Sequence, residues 1–220
     1  MGLYYETEGA GEPLLLLHSG GGWQENWIHA GRDQFVREYR LIQPDARGHG
    51  RSTNPDKKVA HRQCALDMLA LLDRLGFRKC RAIGLSMGGN ILLHMATLQP
   101  ERIHAMVVVS ATMYFPDQAR ALMGRVAPAD KQPPQEWETM HRRHRLGDDQ
   151  IVALWEWMRG MKDSYDDMNL TPSSLSRITA STLIVRNGGG NVSCNSRVRS
   201  VGGAKRRPWA GVFRRCGSVR

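Results

Sequence analysis

The residues whose types and spacing can do chemistry lie between Cys80 and Leu98. Gly84-x-Ser86-x-Gly88 sets one serine between two glycines. An apolar run, Cys80 to Leu85, leads into it, and a helical pattern with Ile91, Leu92, Met95 and Leu98 leads out. A strand-to-helix turn this tight brings the backbone so close to itself that a Cβ two residues either side of the serine collides, and glycine removes it. The serine then stands at the tip with Oγ presented to a substrate. The Met87 amide, at the helix N-terminus, can donate to charge developing on an attacked carbonyl. A nucleophile and half an oxyanion hole are the equipment of acyl transfer. The plainer alternative is a glycine-rich connection with an incidental serine; the strand before it and the helix after it favour the chemical reading.

Three stretches, in this order and at this spacing, resemble the α/β-hydrolase superfamily: Leu14 to Gly22, Asp45 to Ser52, and the serine turn itself. The likeness is nearest to small esterase-like members whose turn reads Ser-Met-Gly-Gly, and it runs from residue 4 to about residue 186. It implies an α/β-hydrolase fold, a mainly parallel sheet flanked by helices with a helical lid. By the same resemblance Ser86 is the catalytic nucleophile and Met87 gives one oxyanion amide. The glycine run His18-Ser19-Gly20-Gly21-Gly22 gives the other, from Gly20 or its neighbour Gly21. Serine at the turn sets the chain apart from the dehalogenase and epoxide-hydrolase branches, which use aspartate there. No cofactor and no metal is implied. The implied partner is a small-molecule carboxylic ester or lactone with an apolar group.

Periodicity shows the elements that must hold these groups. Leu3 to Thr7 and Pro13 to His18 read as strands around the turn Gly9 to Glu12, the second a leucine run suited to burial on both faces. Leu41 to Gln43, Ala105 to Ser110 and Ile178 to Val185 read as strands too, and Trp23 to Tyr39 has helical character. Val59 to Leu75 carries Ala65, Met68, Leu69, Leu72 and Leu75 at helical spacing, with Gly76 as its stop. Asp45 and Arg47 are expected to pin their glycine-rich turn by a charge-assisted pair, with His49 as a loop histidine. From about residue 113 to 176 the chain is helical, rich in Met and Trp and broken by Pro128, Pro133 and Pro134, as in the family's lid. There Trp137, Met140, Trp155, Trp157, Met158 and Met161 either roof the pocket or pack the lid itself. His141 and His144, among Arg142, Arg143 and Arg145, read as a solvated basic face.

A chain of 220 residues can bury one sizeable core, and residues 1–187 are expected to form it. The net charge of +10 is lopsided. Residues 188–220 hold eight of the 31 basic residues and no acidic one, which leaves 23 against 21, or +2, in the rest. That stretch mixes Gly, Ser, Arg and Cys without an apolar period. It is expected to be an irregular tail, with the fold's final strand and helix missing. It reads either as translation of a shifted frame after Val185 or as a basic interaction tail. Nucleic acid is not the expected partner, since only Trp209 and Phe213 are available to stack on bases. No stretch approaches the ~18 apolar residues that span a bilayer, and Met1 to Gly11 is polar. Cys64, Cys80, Cys194 and Cys216 lack metal-like spacing, so a cytoplasmic protein with free thiols and no membrane contact is expected.

The main departure from the family comes after Val185. Arg186-Asn187-Gly188 stands where an aspartate is usual, the last acidic residue is Asp167 and the last histidine is His144. A serine hydroxyl without a base in reach is a weak nucleophile. His18, His49 and His94 are the conceivable substitutes. The chain reads as a serine hydrolase of weak turnover, or else as a non-catalytic relative that binds a small apolar ligand or a partner.

Overall fold

The structure, a computed structural model, describes residues 1–185. The strands are β1 (Tyr5–Glu8), β2 (Glu12–Leu17), β3 (Tyr39–Pro44), β4 (Cys80–Leu85), β5 (Ile103–Val109) and β6 (Ser181–Val185). They form one sheet in the order β1-β3-β2-β4-β5-β6. β1 runs antiparallel to β3 and every other pairing is parallel, the mainly parallel sheet that the sequence implies. The expectations of an irregular tail and a missing last strand and helix fall on residues 188–220 and lie outside the described residues.

The leucine run of β2 shows how the sheet is buried. Leu14 and Leu16 pack with Leu41, Ile83 and Val107 beneath Trp27, Tyr39 and Phe35, the last on the short α1 (Arg32–Phe35). Leu15 and Leu17 face the other way, with Ile42, Ala82, Met106 and Val108, beneath α2 (His61–Arg74) and α3 (Met87–Leu98). Alternate strand residues point to opposite faces, so a strand covered on both sides carries no polar face. All four leucines are at most 1% exposed. α2 ends where Gly76 adopts φ +75°. Phe77 N donates to Leu72 O and Gly76 N to Asp73 O, at 2.9 and 3.0 Å, the paired bonds that close a helix through a left-handed glycine.

Between β5 and β6 the chain makes a helical excursion: α4 (Asp117–Met123), α5 (Pro134–Arg143), α6 (Asp148–Gly160), α7 (Tyr165–Met168) and α8 (Pro172–Leu175). It has a small core of its own in Met140, Ile151, Leu154 and Trp155. Two clamps hold it over the C-terminal edge of the sheet. At the first, Arg143 Nη1 donates to Gly21 O at 3.2 Å, Gly50 N donates to His144 Nδ1 at 2.9 Å, and Arg145 N donates to Gly50 O at 3.0 Å. At the second, Asp167 accepts from the backbone amides of His61 and Arg62 at 2.7 and 2.9 Å. A carboxylate from the excursion thus caps α2, whose own N-cap, Ala60, makes no side-chain capping bond. Among the described residues no helix is long and apolar enough to cross a membrane.

Candidate active site

Ser86 joins β4 to α3 with φ 51° and ψ −112°. Such a conformation costs a residue with a side chain roughly 1–3 kcal/mol and persists only where the surroundings enforce it. Here the neighbouring glycines let the chain close. A Cβ on Gly84 would lie 2.4 Å from the Gly88 carbonyl oxygen, one on Gly88 2.3 Å from the Leu17 carbonyl oxygen, and one on Gly89 2.6 Å from Ala111 Cβ. Ser86 N donates to Val109 O at 2.8 Å and Asn90 N to Ser86 O at 3.0 Å, which ties the turn to the end of β5 and starts α3. Ser86 is exposed, and its side chain makes no hydrogen bond to a described residue.

Gly20 lies beside this turn. A Cβ there would sit 3.8 Å from Met87 Cβ and 3.5 Å from the edge of the Trp157 indole, whereas one on Gly21, at φ +66°, would meet nothing within 4 Å. The turn from Ser19 to Gly22, closed by Gly22 N donating to Ser19 O at 3.0 Å, therefore brings Gly20 rather than Gly21 against Met87. Three segments meet here: the serine turn, the first turn of α3 and the Gly20 loop. Backbone amides at such places are the usual donors to an oxyanion.

Of the histidines offered as substitute bases, His18 and His94 are committed elsewhere and His49 is sealed from solvent. His18 is 1% exposed; its Nε2 accepts from Ala46 N at 2.9 Å, so Nδ1–H donates to Ser19 O at 2.8 Å. Burial lowers its pKa to about 4 against the opposing pull of the Ser19 carbonyl. His94 Nε2–H donates to Asp167 O at 2.8 Å, and burial lowers its pKa as well. His49, wholly buried, donates Nδ1–H to Arg47 O at 3.0 Å, and its Nε2 is buried without a partner among the described residues. Burial, then the His18 and His144 rings at 5.1 and 5.8 Å, push its pKa well below the ordinary value. None of the three hydrogen-bonds Ser86. Among the described residues no group of three or more His, Cys, Asp or Glu side chains is placed to hold a metal ion.

One histidine–carboxylate pair escapes sequence reasoning. His61 Nδ1 and Asp167 Oδ2 lie 2.7 Å apart across a separation of 106 residues. Burial alone would raise the Asp167 pKa, but the His61 ring and the two α2 amides outweigh it and hold the pKa at about 2. The available signal is the bare Ala60 cap, because a helix that starts without its own acceptor needs one from elsewhere.

The family model described as alpha/beta hydrolase fold matches residues 12–188. The chain belongs to that family. It is 33% identical over 130 residues to the dihydrolipoyllysine-residue acetyltransferase component of the acetoin cleaving system of Pseudomonas putida, covering 58% of this chain and 35% of that protein. It is 36% identical over 115 residues to epoxide hydrolase 4 of Mus musculus, covering 50% and 32%. A thermophilic esterase from Thermogutta terrifontis shares the fold with a TM-score of 0.63 at 21% identity, over 84% of this chain and 74% of that one. The chain spans well under half the length of the curated relatives it matches.

Within this α/β-hydrolase frame two expectations change, and the open alternative for the Met and Trp residues narrows. Asp45 and Arg47 do not pair with each other. Asp45 accepts from Gln24 N and Arg51 N at 2.8 and 2.9 Å, and Arg47 makes a two-pronged pair with Asp67 on α2, both contacts 2.9 Å. His144 does not sit on a solvated face: it is 1% exposed, and burial lowers its pKa to about 4. His141, by contrast, is exposed and meets Asp148 Oδ1 at 2.7 Å. Of the Met and Trp residues, Met140 and Trp155, with Trp137, Trp157 and Met158 against them, pack the excursion's own core, and Trp157 also reaches Gly20.

Proposed function

We propose that this chain is a serine hydrolase acting on the carboxylic ester or lactone bond of a small apolar molecule, through an acyl-enzyme on Ser86. The observation that carries the reading is the Ser86 turn, where a strained and exposed serine adjoins both Gly20 and the first turn of α3. In the reaction Oγ attacks the carbonyl carbon, its proton passes to a base, and the charge that gathers on the carbonyl oxygen is met by the Gly20 and Met87 amides. The helical excursion acts as the lid over this point.

The missing part is the base. Val109 O accepts from Ser86 N, and Val185 O accepts from Ser110 N at 2.8 Å. The ends of β4, β5 and β6 therefore stand side by side, and the chain leaves β6 two strands from the serine. An acid and a base arriving from beyond Val185 would enter here, yet residues 186–220 contain no carboxylate side chain and no histidine. Oxyanion donors and binding alone leave a residual acceleration of ~10³ to 10⁴ over water, so turnover is low.

A fluorophosphonate probe tests the assignment. Slow labelling that maps to Ser86 and disappears in Ser86→Ala is the expected result; a label that survives the substitution overturns it. The absence of a histidine bonded to Ser86 among the described residues favours one other reading, a ligand-binding protein without catalysis. Complete absence of label in the folded chain would select that reading.

A further inference from the structure

One lid side chain faces two spaces. The far edge of the Trp157 indole, Cζ3 and Cη2, lies 3.5 Å from where a Cβ on Gly20 would stand, beside the Ser86 turn. Trp157 also lines a cavity of about 680 Å³, together with Val59 and Ala60 from the approach to α2 and Ala153 and Met161 from α6 and its continuation. The cavity also reaches the exposed Lys57 and Glu156, so it opens to solvent. Its volume falls within the ~300–1,000 Å³ of small-molecule sites. The His49 and His61 rings also lie against the indole, at ring-centre distances of 5.7 and 5.8 Å. Trp157 is half-buried, with one edge toward Gly20 and a surface on the cavity.

We propose that Trp157 is a specificity-determining partition, which separates the Ser86 site from this apolar cavity and restricts the substrate to a short apolar arm. The inference rests on Ser86 being the nucleophile. The indole edge stands against Gly20, Trp157 also lines the cavity, and some of the neighbouring wall residues are small or flexible: Ala60, Ala153, Met161. Removing the ring joins the two spaces, and a longer alkyl arm gains apolar surface to bury. A phenyl ring in its place keeps most of the partition.

The test compares second-order rates of Ser86 labelling by fluorophosphonates bearing an ethyl or an octyl chain, in the native chain, Trp157→Ala, Trp157→Leu and Trp157→Phe, with thermal unfolding as the folding control. The octyl-to-ethyl ratio should rise about tenfold in Trp157→Ala, the effect of roughly two newly buried methylenes. It should rise less in Trp157→Leu and stay near the native ratio in Trp157→Phe. An unchanged ratio in folded Trp157→Ala overturns the partition; if that variant does not fold, an unchanged ratio in Trp157→Leu does so. Failure of both probes to label native Ser86 overturns the nucleophile and the partition together, whereas labelling with an unchanged ratio overturns the partition alone.

Discussion

A histidine nitrogen that accepts a backbone N–H cannot carry a proton of its own. That condition holds at His18, where Nε2 accepts from Ala46 N, and at His144, where Nδ1 accepts from Gly50 N. Burial keeps both rings neutral, with pKa values lowered from the ordinary 6.5 to about 4. Between those values the unfolded chain binds protons that the folded chain refuses. Stability is therefore complete above about pH 6.5 and declines as the pH falls toward about 4, by roughly 1.4 kcal/mol per pH unit for each ring. Urea unfolding at about pH 7.5 and about pH 5 should show this loss, and a flat profile would show that the rings are not buried as neutral groups. The part played by His144 is hidden in its sequence neighbourhood, where flanking arginines suggest a solvated helix face. α5 ends at Arg143, and His144 takes extended angles, φ −113° and ψ 121°. At that point helical periodicity stops predicting which way a side chain turns. The serine turn is legible for the opposite reason, since its glycines are demanded by backbone contacts within a few residues of each other or against an adjacent strand.

Most strands and helices with an apolar pattern are legible to within a residue or two, although β6 starts three residues after Ile178 and the helical stretch from Trp23 ends at Phe35, before Tyr39 enters β3. β4 spans Cys80–Leu85 as its composition indicates, and α2 runs His61–Arg74 inside the expected Val59 to Leu75. What holds one element to another is not legible, because the partners are distant in sequence: Arg47 with Asp67 rather than Asp45, and Asp167 with the start of α2. The Asp167 contact is both a cap and a clamp. Asp167→Ala removes the acceptor for two α2 amides and the His61 ring together, and should lower stability by about 1–3 kcal/mol. With its pKa held at about 2 against an ordinary 3.8, this carboxylate stabilises the fold above about pH 3.8 and loses that effect as the pH falls through about 2. The deficit of the variant should therefore be present at neutral pH and shrink in strong acid. An Asp167→Ala protein as stable as the native one at neutral pH would show that the clamp contributes nothing.

At the scale of the whole molecule, the parallel sheet gathers its functional loops at one edge: the Gly20 loop after β2, the Ser86 turn after β4, and the departure of the chain from β6 beside β5. The proposed nucleophile, Ser86, and the proposed oxyanion donors, Gly20 and Met87, belong to the first two. The third is where an acid and a base would enter, and the sequence beyond Val185 supplies neither. We propose that Ser86 stands ready but unactivated. Its most direct test is kcat/KM for p-nitrophenyl acetate, measured on the native chain, on Ser86→Ala, and on a chimera. In the chimera the residues after 187 are replaced by a segment bringing an aspartate behind β6 and a histidine farther on. The native chain should barely exceed Ser86→Ala, and the chimera should gain several orders of magnitude that depend on Ser86, since loss of triad members costs roughly 10⁴ to 10⁶ in kcat elsewhere. A native chain that already turns over at a rate ordinary for esterases, with Ser86 required, would contradict the account.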